Sequence, residues 1–138
     1  MSELRFTVPL PPKALSPNGA GRSWRAAQRP KAAYRQTVAA IARAAAQQAG
    51  WQTQEWVRVH LTFHTSIHKR ALVLDPGYRP RDTPNAVAAW KAGFDGLVDA
   101  GIVVDDDAAH LGMGAVTIDR TGRPGVRVVI TTEKGVAA

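Results

Sequence analysis

The sequence predicts an α+β (mixed α/β) domain in which a small mixed β-sheet of about four strands packs against two main helices. Three observations favour this class. Residues 4–8 and 57–64 alternate apolar and polar side chains, which is typical of half-buried strands. Two longer segments repeat apolar residues every three or four positions, as amphipathic helices do. Their order along the chain is strand, helix, strand, helix, strand, strand.

The first strand and first helix are separated by a loop rich in turn-forming residues. Prolines from Pro9 onward end the strand, and residues 16–21 form the loop. A helix is expected from about Pro30 to a stop at Gly50, because apolar side chains recur at helical spacing at Ala33, Tyr34, Val38, Ile41 and Ala45.

The second half begins with the clearest strand, residues 57–64, and a long connection over residues 65–81. A second helix is expected to begin at Thr83 as the N-cap and Pro84 as the first helical residue, where a missing N–H costs nothing. Its apolar stripe consists of Val87, Trp90, Phe94, Leu97 and Val98, and it ends before Gly101. Two final strands are predicted at residues 115–119 and 126–132.

Length and composition restrict the class of protein. The chain has 138 residues, enough for one domain over residues 1–138, with a disordered tail expected at about 134–138. No apolar segment reaches the roughly 18 residues of a membrane span, so no membrane partner is expected. The N-terminal residues lack a secretory signal pattern, which favours the cytoplasm. The absence of cysteine excludes disulfides and thiolate metal sites.

Charge is unevenly distributed along the chain. Residues 1–81 contain 13 Lys and Arg against three acidic residues, whereas residues 82–138 contain five against eight. A basic first part is typical of proteins that bind a polyanion such as DNA. The carboxylates of the second part suit a site for a hard divalent cation.

Three groups of residues are candidates for chemistry: Asp82 at the start of the second helix, Lys91 within it, and Asp105, Asp106 and Asp107 beyond its end. Phosphodiester hydrolysis needs an activated water and neutralisation of charge on phosphorus. Mg²⁺ held by one or two carboxylates from separate segments can supply both. A nearby lysine could stabilise the developing anion.

Each group also has a structural explanation. Asp82 could simply complement a helix N-terminus, and Lys91 could form a surface ion pair with Asp95, four residues away. The three aspartates could form a solvated turn that caps a short helix through residues 108–110, and His110 is also a weak candidate for a ligand. The histidines at positions 60, 64 and 68 are interpreted as a polar sheet face, because residues four apart on a strand lie about 13 Å from each other. Trp24 could stack on a base or pack on the domain.

Nearly the whole chain resembles the RusA-like Holliday junction resolvases. Residues 6–12 with Ser16-Pro17-Asn18 resemble the opening strand and loop of that family, and Tyr34-Arg35 matches its first helix. The most specific match runs from Arg81-Asp82-Thr83-Pro84-Asn85 through Lys91–Leu97 and Ala100-Gly101 to Asp105-Asp106-Asp107. The family has basic residues, an Asp-x-Asp-Asn-like cluster, a Lys-x-x-x-Asp helix, an Ala-Gly turn and an Asp-Asp pair in this order.

The resemblance implies a homodimeric, Mg²⁺- or Mn²⁺-dependent endonuclease that resolves four-way DNA junctions by paired cuts. Asp82 and Asp106 would be catalytic metal ligands, Lys91 the catalytic lysine, and Asp105 and Asp107 further candidate ligands. DNA contacts are expected from Arg22, Arg25, Arg29, Lys69, Arg70, Arg79, Arg81 and Asn85. The chain departs from the pattern where Pro84 replaces a metal-binding aspartate and where the spacing from Asn85 to Lys91 is about one turn longer. Either another acid (Asp75, Asp95 or Asp107) substitutes for the missing aspartate, or the enzyme is weakened or altered. A branched-DNA-binding protein that does not cleave is therefore the alternative, and a basic protein with a protein partner is a third.

Overall fold

A computed structural model describes residues 3–17, 24–65 and 77–132 of the protein. The predicted tail at about 134–138 lies outside the described residues, as do Arg22, His68, Lys69, Arg70, Asp75 and the side chain of Trp24.

Four strands and three α-helices make up the described fold, which confirms the predicted α+β class. In chain order the elements are β1 (Glu3–Val8), a 3-10 helix (Lys13–Leu15), α1 (Trp24–Ala49), β2 (Val57–His64), α2 (Thr83–Ala89), α3 (Lys91–Asp99), β3 (Leu111–Asp119) and β4 (Gly125–Thr131). The sheet has the order β1-β4-β2-β3. It is mixed, because β2 pairs in parallel with β3, whereas β4 is antiparallel to both β1 and β2.

One face of the sheet forms the core. The alternation read from β1 and β2 places Leu4, Phe6 and Val8, and every second residue from Val57 to Phe63, among the buried side chains. Their neighbours in sequence on β1, which include Arg5, are exposed. The helices cover the apolar face, and within the described ranges no helix is long and apolar enough to cross a membrane.

Helices α1 and α3 approach each other closely at Gly96. A Cβ atom at this position would lie 2.8 Å from the carbonyl oxygen of Arg35 and 3.0 Å from the Cβ of Val38. Only a residue without a side chain allows this approach. The contact fixes α3, which begins with Lys91, against the middle of α1.

Three boundaries differ from the sequence-based expectation. Helix α1 begins at Trp24 and runs through Pro30, because an internal proline removes one hydrogen bond without necessarily ending a helix. The N-cap of α2 is Asp82 rather than Thr83. The single second helix that we expected is instead two helices, which meet at Trp90 with φ −96° and ψ 12°.

Strand β3 begins at Leu111, four residues earlier than expected. Its first part contains Gly112 and Gly114, which weaken a strand when nothing packs over them. Here the ring of Trp56 lies over Gly112 and the ring of His60 over Gly114, so a Cβ at either glycine would meet a ring atom at 2.7 Å or 2.2 Å. The parallel ladder to β2 and these two rings hold the segment in the sheet.

Candidate active site

A buried hydrogen-bond chain fixes the junction between α2 and α3. The indole Nε1 of Trp90 donates to the hydroxyl of Tyr34 at 2.9 Å, and that hydroxyl donates to the carbonyl oxygen of Pro9 at 2.7 Å. Trp90 is fully buried, and its ring meets Phe94 edge-on with the centroids 4.9 Å apart. Because Lys91 directly follows Trp90 in the chain, the same contacts fix the backbone position of Lys91.

Lys91 lines a cavity of about 540 Å³ together with Asp95 and Asp106. This volume lies within the usual range for small-ligand sites. Lys91 and Asp95 come from α3, whereas Asp106 comes from the acidic turn before β3. The apolar part of the wall is formed by Val87, Ala88, Phe94, Ala108, Leu111 and Met113, and Lys31 of α1 also contributes. The wall of the cavity therefore includes two aspartates from separate segments and two lysines.

Asp95 and Asp106 both line this cavity, where Asp95 is half-buried and Asp106 is exposed. Desolvation raises the pKa of Asp106, and the side chain and negative charge of Asp95 raise it further. Two carboxylates that share a site disfavour each other's ionised form, and a bound cation relieves this repulsion. Among the described residues Lys91 forms no ion pair with Asp95, so the routine surface pair considered from the sequence does not occur.

The acidic turn has a defined internal structure. Asp105 accepts a hydrogen bond from the backbone N–H of Asp106 at 2.7 Å, and Asp107 accepts one from the N–H of Ala109 at 3.0 Å. Asp107 thus caps a turn, and the short helix considered for residues 108–110 is not formed. Nδ1 of His110 lies 2.7 Å from the carbonyl oxygen of Glu55, and this contact raises the pKa of His110 and ties the turn to the segment before β2.

Asp82 lies at the beginning of α2 and is not among the residues that line the cavity. Its Oδ1 accepts the backbone N–H of Asn85 at 2.9 Å, and its Oδ2 accepts the side-chain amide of the same residue at 3.0 Å. Both residues taken from the resemblance are therefore engaged with each other in a helix cap. The described contacts give Asp82 a structural role, and its metal-binding role stays a prediction.

Sequence reasoning considered Asp95 as a site residue only as one possible substitute for the metal-binding aspartate that Pro84 replaces, and it gave Lys31 no role. Asp95 was visible as the residue four after Lys91, which places both on one helix face, but its closeness to Asp106 depends on how α3 packs against the turn. Arg35 also lies near this pair. It forms a two-pronged ion pair with Asp99 at 2.6 and 2.8 Å, and the negative charges of Asp95 and Asp106 add to the rise in its pKa that Asp99 causes.

The donor set fits a divalent ion with few protein ligands. Within residues 3–17, 24–65 and 77–132 no group of three or more His, Asp or Glu side chains is arranged to hold a metal. Mg²⁺, however, commonly takes one or two carboxylates and completes its shell with water and substrate oxygens. Asp95 and Asp106 satisfy that smaller requirement because they are paired, partly desolvated and open to the cavity.

The residues expected to contact DNA are only partly described. Arg25 and Arg29 are exposed on the first turns of α1, and Arg81 is exposed just before α2. Arg79 is half-buried and donates to the carbonyl oxygen of Gly77 at 2.9 Å. On the polar sheet face, Nδ1 of His60 accepts the N–H of Ala115 at 3.1 Å. Arg22, Lys69 and Arg70 lie outside the described residues.

Comparisons with known proteins do not place the chain in a family. No protein-family model matches it, and no curated protein matches it. Among solved structures, cyanuric acid hydrolase from A. caulinodans is similar over 99% of this chain, with 18% identity and a TM-score of 0.43. The chain corresponds to 40% of that protein's length. At this level of similarity the comparison carries no argument about fold or activity.

Proposed function

We propose that the protein is a metal-dependent, structure-selective endonuclease that resolves four-way DNA junctions as a homodimer. The observation that carries the proposal is the cavity that Lys91 lines together with Asp95 and Asp106. The resemblance noted in the sequence supplies the substrate class, and the basic character of residues 1–81 supports a polyanion.

The chemistry follows from the charges around the cavity. When bound by the two carboxylates, Mg²⁺ or Mn²⁺ would supply an activated water and neutralise charge on the scissile phosphate. Asp95 and Asp106 would hold the cation through their carboxylate oxygens, whose negative charges repel each other when no cation is bound. The ammonium group of Lys91 binds a non-bridging phosphate oxygen and stabilises the negative charge that develops there.

Cleavage of a labelled synthetic four-way junction in Mg²⁺ or Mn²⁺ tests this proposal. Wild-type protein should produce paired nicks. Asp106→Asn and Asp95→Asn should each abolish cleavage and retain a junction gel shift, since they remove a metal-holding charge but no basic side chain. Asp119→Asn is the matched control, because Asp119 ends β3 and does not line the cavity. Normal cutting by both cavity variants would rule out the site.

Metal binding can also be measured without DNA. Mn²⁺ should raise the melting temperature of the wild type, because a ligand that binds only the folded state stabilises it. The rise should be absent in Asp106→Asn and intact in Asp119→Asn. An equal rise in both variants would mean that the ion binds elsewhere.

A protein that binds branched DNA without cutting it is the second candidate. The cap formed by Asp82 and Asn85 favours it, because the carboxylate that the resemblance assigns to the metal is occupied by another residue. Pro84 adds to this, since its side chain has no metal-binding atom. In the junction assay, a gel shift with no nicks in either metal would select this function. Binding that disappears with rising salt and shows no preference for branched DNA would instead indicate a general polyanion surface.

A further inference from the structure

We infer that Lys31 is a second substrate-binding residue. Together with Lys91 it binds a backbone phosphate, and the adjoining sugar enters a smaller cavity beside the first. The inference rests on the proposed function for the identity of the substrate, a nucleic acid strand. Neither the sequence patterns nor the resemblance assigned Lys31 a role.

Two cavities meet at this lysine. The smaller one has a volume of about 160 Å³ and is lined by the 3-10 helix region with Ala88, Ala89 and Ala92, as well as by both lysines. Lys31, Ala88 and Lys91 line the smaller and the larger cavity alike. Because the smaller volume lies below the usual range for an independent ligand site, we regard it as an extension of the larger one.

The two lysines carry positive charge that the described residues leave unpaired. Neither Lys31 nor Lys91 forms a salt bridge within residues 3–17, 24–65 and 77–132, although Asp95 and Asp106 line the same larger cavity as both of them. Asp95 and Asp106 line only the larger cavity, whereas both lysines line the larger and the smaller cavity. An anionic group placed where the two cavities meet would be held by two ammonium groups.

The lining of the smaller cavity indicates which kind of chemical group is attached to the bound anion. Besides the lysines it consists of Leu15, Ser16 and small alanine side chains, three of them on α2 and α3. Such a surface accepts an apolar or weakly polar body. A sugar joined to a phosphate has this character, whereas a free phosphate does not. Phosphate contacts of this kind fix the register of a strand without reading its sequence.

Thymidine 3′,5′-bisphosphate is a suitable probe, because it carries phosphates on both sides of one sugar. Its dissociation constant is measured by titration calorimetry in EDTA, so that no divalent ion takes part. Lys31→Gln should weaken binding by about tenfold, as expected for loss of one charge-assisted contact. Lys13→Gln is the matched control, since Lys13 is an exposed lysine on the neighbouring 3-10 helix that lines neither cavity, and it should change binding by less than about twofold.

Filling the smaller cavity tests the second half of the inference. Ala88→Leu keeps helix propensity but adds volume where the two cavities join. It should weaken binding of the bisphosphate and leave binding of inorganic phosphate unchanged. Equal losses for both ligands, or none for either, would overturn the assignment of the sugar to this cavity.

The outcomes separate this inference from the proposed nuclease. If the wild type does not bind the bisphosphate, or if Lys31→Gln binds it normally, the inference fails whether or not junctions are cut. If the lysine variant loses binding while the wild type never nicks a junction, the nuclease proposal fails and the phosphate site stands. With junction DNA, Lys31→Gln should also reduce the salt dependence of binding by about one phosphate contact.

Discussion

The indole of Trp90 and the hydroxyl of Tyr34, 56 residues apart in the chain, form a buried hydrogen bond of 2.9 Å. The Tyr34 hydroxyl in turn donates a hydrogen bond to the carbonyl oxygen of Pro9, so one hydroxyl satisfies two groups from different segments. The loop after β1, helix α1 and the start of α3 are thus tied together next to the lysine of the candidate site.

Tyr34→Phe should reduce the free energy of unfolding by about 1–3 kcal/mol, because it leaves the Trp90 N–H and the Pro9 carbonyl without their partner in a buried setting. Urea denaturation measures the change. Thr37→Ala is the control, since its exposed hydroxyl bonds only within α1 and its loss should matter by less than about 0.5 kcal/mol. Equal effects of the two variants would show that the Tyr34 hydroxyl is not structurally important.

Gly93→Ala should destabilise the protein by about 1–3 kcal/mol or more, because the new Cβ would lie 2.3 Å from the buried ring of Trp90. The near-ultraviolet circular dichroism of Trp90 should change with it. Gly50→Ala provides a comparison without crowding, since no atom lies within 4 Å there and only its positive φ of 65° opposes a side chain. A smaller loss at position 93 than at position 50 would contradict the packing described.

The resemblance predicts that Asp82→Asn abolishes junction cleavage, whereas the described contacts assign Asp82 only to the helix cap. In either case stability should change little, because asparagine caps a helix about as well as aspartate. Asp82→Ala should cost about 1 kcal/mol in addition, through loss of the cap. Thermal unfolding and the junction assay measure the two effects separately. Wild-type cutting by the asparagine variant would leave Asp82 with the capping role alone.

Asp99→Asn should destabilise the protein at neutral pH and have progressively less effect in acid. The hydrogen bonds from Arg35 lower the pKa of Asp99 below 3.8 in the folded state, so this carboxylate stabilises the fold above that pH. The contribution is lost as the pH falls through the lowered pKa. Melting temperatures of the variant and the wild type should therefore converge as the pH falls below the lowered pKa of Asp99, and a constant difference from neutral pH into acid would contradict the interaction.

The strands that bury one face were predictable from the sequence. Residues 57–64 alternate so regularly that β2 has the predicted bounds, and Gly50, with φ 65°, ends α1 as expected. These features depend on local periodicity and on the conformational freedom of glycine, which a sequence displays directly.

The break between α2 and α3 was not predictable in this way. The stripe from Val87 to Val98 has uninterrupted helical spacing, and the interruption at Trp90 coincides with a hydrogen bond to a residue on another helix. The pairing of Asp95 with Asp106 is likewise tertiary, because it brings a helix and a turn together across the cavity. By contrast, the competition between capping and metal binding at Asp82 was visible in the sequence, and the described contacts show the cap.

The interruption at Trp90 divides the predicted site residues between two short helices, α2 and α3. Asp82 is the N-cap of α2, whereas Lys91 and Asp95 belong to α3, which packs closely against α1 at Gly96. A longer or shorter α2 would displace Asp82 and leave the relative positions of Lys91, Asp95 and Asp106 unchanged. A change in loop or helix length can thus move Asp82 toward or away from the cavity without altering the positions of the residues that line it.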